Sequence, residues 1–360
     1  MTASDRTYGI EIECRLPASM SNQHARIAQA ISAQGVDCRF ETYNHSTRTW
    51  WKCTTDGSLL IPGGHSPDYA HGAEFVSPIL HGEEGFRQVA IVMSVLQAHG
   101  VTTDKYCGLH VHVDAQHDDL KFHKTLAKFY GAYESVIDSI MPATRRGPMA
   151  GRGFCCTIAH ASPLQIDATH SVSELFRLLG RGAGAPRYVK LNLARKYGTV
   201  EFRHHSGTLN SDKAINWIKT CQRMVEKAAS GIAFEEAVAI APRTPKVRRG
   251  SKRAICVELL LRPEGATREQ LLAATGWPTI SVQDVVSRTG MELLTTRMGR
   301  RITYRLNQAA AQAHNLSSAA APAMEISIDG LCNMIGSPDD ERQFLKRRAA
   351  NLRDANQQAA

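Results

Sequence analysis

The sequence predicts an α+β protein, in which a curved antiparallel sheet carries helices on its outer face and a small helical unit ending in a hairpin follows. Three observations carry this. Short stretches with period-two alternation recur through the first 230 residues, and stretches with helical spacing separate them. Several of the extended stretches place charged or His side chains at i and i+2, with mostly apolar residues on the opposite face. Pro242, Pro245 and a basic run then mark a break, beyond which capped helical segments lead into two strands joined by a tight turn.

The elements follow in order. Residues 8–15 alternate, with Ile10, Ile12 and Cys14 on one face and Glu11, Glu13 and Arg15 on the other. A helix is expected over about 20–34, and a strand over 50–54 that stops at the turn residues Asp56-Gly57-Ser58. Residues 74–76 are extended up to Pro78, and 84–98 are helical. Residues 109–113 form a strand with His110 and His112 on one face, and 120–140 a helix. Strands over 189–193 and 199–205 pair around Gly198. An amphipathic helix over 212–229 buries Ile215, Ile218 and Val225.

A chain of 360 residues predicts about two domains and can bury a core without disulfide or metal staples. With 43% apolar and 21% charged residues, wholesale disorder, collagen and coiled coil are excluded. No apolar run is long enough to span a bilayer, and the N-terminus lacks an apolar signal region. The nine cysteines are odd in number and form no CxxC pair. A reduced, cytoplasmic chain is therefore expected, and a zinc finger is disfavoured. The net charge is +9, part of it concentrated in the basic run 243–253, either a solvated linker or a phosphate contact. The domain reading is 1–230 catalytic, 231–253 basic linker, 254–306 second unit, and 307–360 an Ala-rich tail with a terminal helix beginning near Ser337-Pro338. Within the tail, the stretch from Ala323, AMEISIDGL, reads as briefly extended.

Glu11/Glu13, His110/His112 and Glu201/Arg203 are the three i, i+2 pairs, and Glu74 in GAEFVSP adds a fourth piece. Each alone reads as a solvated sheet face. On one curved sheet they converge. Uncompensated carboxylates would then repel, and divalent cations would remove that cost. An oxygen-rich set with one imidazole favours Mg²⁺ or Mn²⁺ over zinc. Arg203 beside Glu201 reads as a phosphate clamp. Gly108 permits close backbone approach.

The segments YGIEIE, GAEFVSPIL, CGLHVHVD, RYVKLNL and GTVEFRHHSGTLN, followed by Trp217, occur in the order found in the amidoligase family, and over residues 7–228 the chain resembles it. That family belongs to the carboxylate–amine ligases that include glutamine synthetase and γ-glutamylcysteine synthetase. The resemblance implies a glutamine synthetase-like sheet and ATP-dependent amide formation through an acyl phosphate. It implies Glu11, Glu13, Glu74, His110 and Glu201 as metal ligands, His112 near the ATP phosphates, and Arg203 steadying the transferring phosphate. It sets Lys190 and Asn192 beside the nucleotide. Arg145 and Arg146 match an Arg pair, although the following GPMAGRGF departs from the usual pattern. It points to phage and bacterial relatives. Cys107 reads as a small buried residue rather than a nucleophile.

Residues 254–306 read helix, helix, helix, hairpin, the order of a winged helix-turn-helix, with a capping box at Thr267-x-x-Gln270 and a stop at Gly276. Gln283 and Arg288 are candidate base contacts, and Arg297, Arg300, Arg301 and Arg305 candidate phosphate contacts. Seven basic against five acidic residues leave only +2, so DNA binding through 243–306 and protein docking stay balanced. Three functions remain in view. The first is a Mg²⁺ (or Mn²⁺)/ATP-dependent ligase joining a carboxylate to an amine. The second is a metal hydrolase built on His110-x-His112 with Asp114, and His204 or His205 in reserve. The third is a DNA-binding protein with an inactive ligase-like domain.

Overall fold

The computed structural model describes residues 4, 6–17, 23–55, 59, 72–115, 119–147, 149–193, 197–230, 251–262, 264–287, 293–298, 301–306 and 327–358. Expectations for 20–22, the turn at 56–58, the linker up to 250, Arg288, Arg300 and residues 307–326 lie outside these. The chain divides into two compact units, Met1–Ile232 with Glu325–Ala360, and Ala233–Met324.

In the larger unit the elements run β1 (Tyr8–Arg15), α1 (Gln23–Ser32), β2 (Cys38–Phe40), β3 (Trp51–Thr54), β4 (Gly72–Val76), α2 (Gly82–Ala98), β5 (Gly108–Asp114), α3 (Leu120–Ser139), β6 (Met149–Ala150), β7 (Cys155–Cys156), α4 (Pro163–Asp167), α5 (Val172–Leu179), β8 (Leu191–Asn192), β9 (Thr199–Ser206) and α6 (Ser211–Ala229). Seven strands form one sheet in the order β2-β3-β4-β1-β5-β9-β8. Only β2 and β3 are parallel. The protein is thus a mixed α+β fold with a mostly antiparallel sheet, as expected.

Alternation decides which face the helices cover. Ile10, Ile12, Leu109, Val111, Val113, Val200 and Phe202 are all buried. Phe202 meets Trp217 of α6 at 6.4 Å between ring centroids and Tyr130 of α3 at 5.9 Å. Each such side chain contributes about 1.5–3 kcal/mol on burial. A one-residue slip would turn the whole row to the other face, so the register is strongly fixed. Helix starts are capped locally: Asp119 accepts from Phe122 N–H, and Asn210 from Lys213 N–H. In α6 Ile218 and Val225 are buried as expected. Ile215 is half-exposed, because Ala214, Trp217 and Cys221 occupy the inner stripe.

The tail corrects one expectation. Residues 328–331 of the stretch read as extended are helical: Ser327 caps α10 (Ile328–Ile335) by accepting from Gly330 N–H. Five alternating residues fit a strand and a helix start equally, and the cap with Asp329 in the first turn decides it. α10 and α11 (Asp339–Gln358) both belong to the larger unit. Leu331, Cys332 and Ile335 are buried. Arg223 of α6 pairs with Glu341 of α11 at 3.1 Å, and Arg348 Nη1 reaches His205 Nε2 at 2.5 Å.

In the smaller unit α7 (Lys252–Leu260) leads to β10 (Ala266–Thr267), α8 (Arg268–Thr275), α9 (Val282–Ser287), β11 (Leu293–Met298) and β12 (Arg301–Leu306), with sheet order β10-β12-β11. Both arms of the Thr267–Gln270 capping box form, and Gly276 ends α8 at φ 63°. Cys256, Leu260, Leu271, Val285, Val286 and Leu306 form its core. Among the described residues no helix is long and apolar enough to cross a membrane.

Candidate active site

Cross-strand register brings the polar pairs together on the sheet face opposite the helices. Glu13 lies opposite Glu74 of β4, Glu11 opposite His110 of β5, and His112 opposite Glu201 of β9, which in turn faces Asn192 of β8. Two triads result, each with ligand atoms within 4.8 Å of one another: Glu11, His110, Glu201 and Glu13, Glu74, His110. His110 is the shared member. Its Nδ1 lies 2.9 Å from Glu11 Oε2 and 3.6 Å from Glu201 Oε1, and its Nε2 3.7 Å from Glu13 Oε1.

Two arginines flank the carboxylates. Arg203 Nη1 donates to Glu201 Oε1 at 2.5 Å, and Arg203 Nε donates to Phe154 O. Arg145 is buried, and its Nε has no hydrogen-bond partner. A Cβ on Gly108 would lie 2.9 Å from Arg145 Nη2, 2.9 Å from His110 Nε2 and 3.1 Å from Glu13 Oε2, so the glycine makes the room these three share. Gly108 N–H also donates to Glu13 Oε2. Arg146, the second half of the expected pair, turns away and donates to Met141 O.

Four carboxylates face two guanidinium groups, which leaves 4 − 2 = 2 negative charges with the imidazoles neutral. Burial pushes the Glu11 carboxyl up, but His110 and His112 beside it hold it well below the usual range. Burial raises Glu201 too, and Arg203 and His112 outweigh it, so its carboxyl is lowered. Burial lowers His112, yet Glu201 and Glu11 raise it above an ordinary imidazole. His112 Nδ1 shares a 3.0 Å hydrogen bond with Thr199 Oγ1, which aims Nε2 at the cluster, where it is buried without a hydrogen-bond partner. Asn192 Nδ2 donates to Glu201 Oε2 at 2.6 Å, and its Oδ1 is an orphan. Oxygen-rich triads with orphaned polar atoms beside them fit hard divalent cations and a polar ligand.

Lys190 does not join the cluster. Its side chain is 0% exposed, and Nζ pairs with Glu134 at 3.0 Å and Asp138 at 2.7 Å, both on α3. His204 and His205 do not join it either. Leu109 faces His205 while Val111 faces Phe202, so β9 carries one extra residue there. This bulge leaves Arg203 pointing at the cluster. His204 instead bonds Tyr130 and Asp138, and the His205 ring lies tilted 5.6 Å from that of Trp217. Asp114 lies outside both triads. Cys107 is buried with its thiol pushed up to about 12 by burial, which matches a structural residue.

Residues 4–225 match the profile of the family described as "putative amidoligase enzyme". The chain belongs to this family. No curated protein matches it. In this amidoligase-family chain, two neighbours of the cluster escaped the sequence reading. Tyr197, 42% exposed, sets its ring 6.3 Å from that of His112, and Thr199 fixes the His112 ring. Both stand at the β8–β9 turn, where only Gly198 gave a signal.

Proposed function

We propose that the chain is an ATP- and Mg²⁺- (or Mn²⁺-) dependent carboxylate–amine ligase of the glutamine synthetase-like type, forming an amide through an acyl phosphate. What supports this is the pair of triads sharing His110, with Arg203 and Arg145 at their edge. Glu11, Glu13, Glu74, His110 and Glu201 would hold the cations, which when bound would offset charge on the nucleotide phosphates. Arg203 would steady the charge that develops on the phosphoryl group, and its planar fork suits phosphate oxygens. His112, whose carboxylate neighbours favour its protonated form, adds a second donor. Asn192 and Arg145 offer unpartnered polar atoms to nucleotide or substrate. In such a ligase a substrate carboxylate would attack the γ-phosphorus as ADP leaves, and an amine would then attack the activated carbonyl, losing a proton to solvent as phosphate departs. Exclusion of water protects the intermediate from hydrolysis.

The test is ADP release by the full chain with a panel of amino acids, peptides and cell-wall fragments, with hydroxylamine as a trapping amine. Sustained, multiple-turnover release should need metal, carboxylate and amine together. Glu11→Gln and Glu201→Gln variants that stay fully active would sink the assignment. The hydrolase reading has less support: among the described residues His110-x-His112 gains no third nitrogen ligand, since His204 and His205 face the helices.

For the smaller unit we propose a winged helix that contacts DNA through residues 243–306, with Gln283, Arg297 and Arg305 among the contacts. A salt-titrated gel shift of the full chain tests it, and binding that ignores salt would exclude phosphate contacts. Nine free buried thiols suit the reducing cytoplasm we propose as its location.

A further inference from the structure

On β3, Trp51 and Cys53 face the helices, and Trp51 Nε1 donates to Gln88 of α2 at 3.1 Å. Lys52 and Thr54 therefore share the face of the acidic cluster. Register places Thr54 opposite Glu74, and Lys52 opposite Val76, which is opposite Glu11. Lys52 is only 4% exposed. Its Nζ donates to Asn44 O at 2.7 Å and reaches Asn44 Oδ1 at 3.5 Å. No carboxylate among the described residues lies within ion-pair distance of it. Glu41, the acid of the adjoining segment, is occupied by Arg48, Trp50 and Asn44. Thr54 Oγ1 is buried with no hydrogen-bond partner among the described residues.

An ammonium buried with no anion among the described residues, on the same face as an orphaned hydroxyl, is a costly pairing that packing alone does not explain. An anion arriving with a ligand satisfies both. We infer that Lys52, seconded by Thr54, forms a subsite for a second carboxylate of the substrate, two strands away from Glu11, the near side of the cation cluster at which the reacting carboxylate would bind. The inference rests on the ligase reading only for where the reacting carboxylate sits. Two strand spacings amount to about 10 Å. A substrate bridging them spans roughly two to three extended residues, or a chain of about six to nine carbons with an acid at each end.

The test uses the full-length chain with Mg²⁺ and a non-hydrolysable ATP analogue. Adipate, pimelate, suberate and azelate are titrated calorimetrically against the monocarboxylates of equal length. The expected result is one dicarboxylate binding about tenfold or more tighter than its monocarboxylate. Lys52→Met should erase that preference while keeping nucleotide binding and an equal or higher melting temperature, and Lys52→Arg should restore part of it. A wild type without any preference overturns the inference, as does a Lys52→Met variant that keeps it. A melting temperature that collapses in Lys52→Met and recovers in Lys52→Arg overturns it too, since Lys52 would then be structural. Parallel ADP assays separate the two readings. Dicarboxylate binding without ADP release sinks the ligase reading and leaves the subsite standing. Equal ADP release with mono- and dicarboxylates does the reverse.

Discussion

Replacing Gly108 by alanine should damage the site while sparing the fold. The added Cβ would meet Arg145 Nη2 and His110 Nε2 at 2.9 Å and Glu13 Oε2 at 3.1 Å, against ordinary contacts of 3.4–4 Å. Relief requires retreats of roughly 0.3–0.5 Å by three side-chain ends. Those ends can give way, and Gly108 is not among the residues with positive φ, so alanine suits the backbone. Its smaller unfolded-state freedom adds about 0.4–1 kcal/mol of stability, which offsets much of the crowding. Net stability should stay within about 1 kcal/mol of wild type. The same displacements strike one shared ligand, a second ligand and a guanidinium together. A misplacement of 1 Å can cost about 10²-fold in rate, so a loss of about 10–100-fold is expected. Urea unfolding reads the first quantity, and Mn²⁺ affinity with ADP release reads the second. An alanine variant with wild-type Mn²⁺ affinity and turnover would refute the placement of the site.

Glu201→Gln should lower ADP release by about 10³-fold or more, roughly 4 kcal/mol, while the loss of the Arg203 ion pair costs far less in folding stability, about 1–2 kcal/mol; equal losses in both would point to a structural role. Acid should destabilise the larger unit in a defined window. Burial holds His204 below its usual 6.5, and burial with the neighbouring Arg348 holds His205 well below it. The folded form therefore binds fewer protons than the unfolded chain, so stability is whole above 6.5 and declines as pH falls through the lowered folded values. Urea midpoints should drop from about pH 7.5 to about pH 5.5, and His205→Leu should flatten part of the drop; a flat wild-type profile contradicts the reasoning. Leu331→Ala in α10 should cost about 2–5 kcal/mol in the unfolding of the larger unit, whereas a cost near zero would mean the tail does not stabilise it. Cys107→Ala should leave ADP release within about threefold of wild type, and its abolition in a folded variant would revive a thiol mechanism.

Most of the site was legible because its residues lie on strands whose partners on the other face are apolar. Glu11, Glu13, His110, His112 and Glu201 alternate with buried Ile, Leu, Val and Phe, so one burial decision aims them all. Lys190 was misleading for a reason alternation cannot encode. Only Leu191–Asn192 of its stretch is strand, and the preceding residue is free to turn toward Glu134 and Asp138. His204 and His205 depend on a bulge, which is a property of the pairing between two distant strands rather than of either sequence. Lys52 gave no signal, since nothing local announces that Asn44 will meet its side chain. In the tail, the competing signals at Ser327 were both present, and the side-chain cap outweighed a short alternation.

The chain leaves the larger unit after α6 and re-enters it at α10, after about ninety residues of separate structure. A ribosome adding about 5–20 residues per second takes several seconds to cover that distance. Throughout that interval the nascent sheet and its first helices stand without α10 and α11, whose Arg348 contacts Met141 and His205, so the emerging chain offers chaperones and proteases a surface that the finished molecule hides. Truncations that stop before residue 327 make that transient exposure permanent.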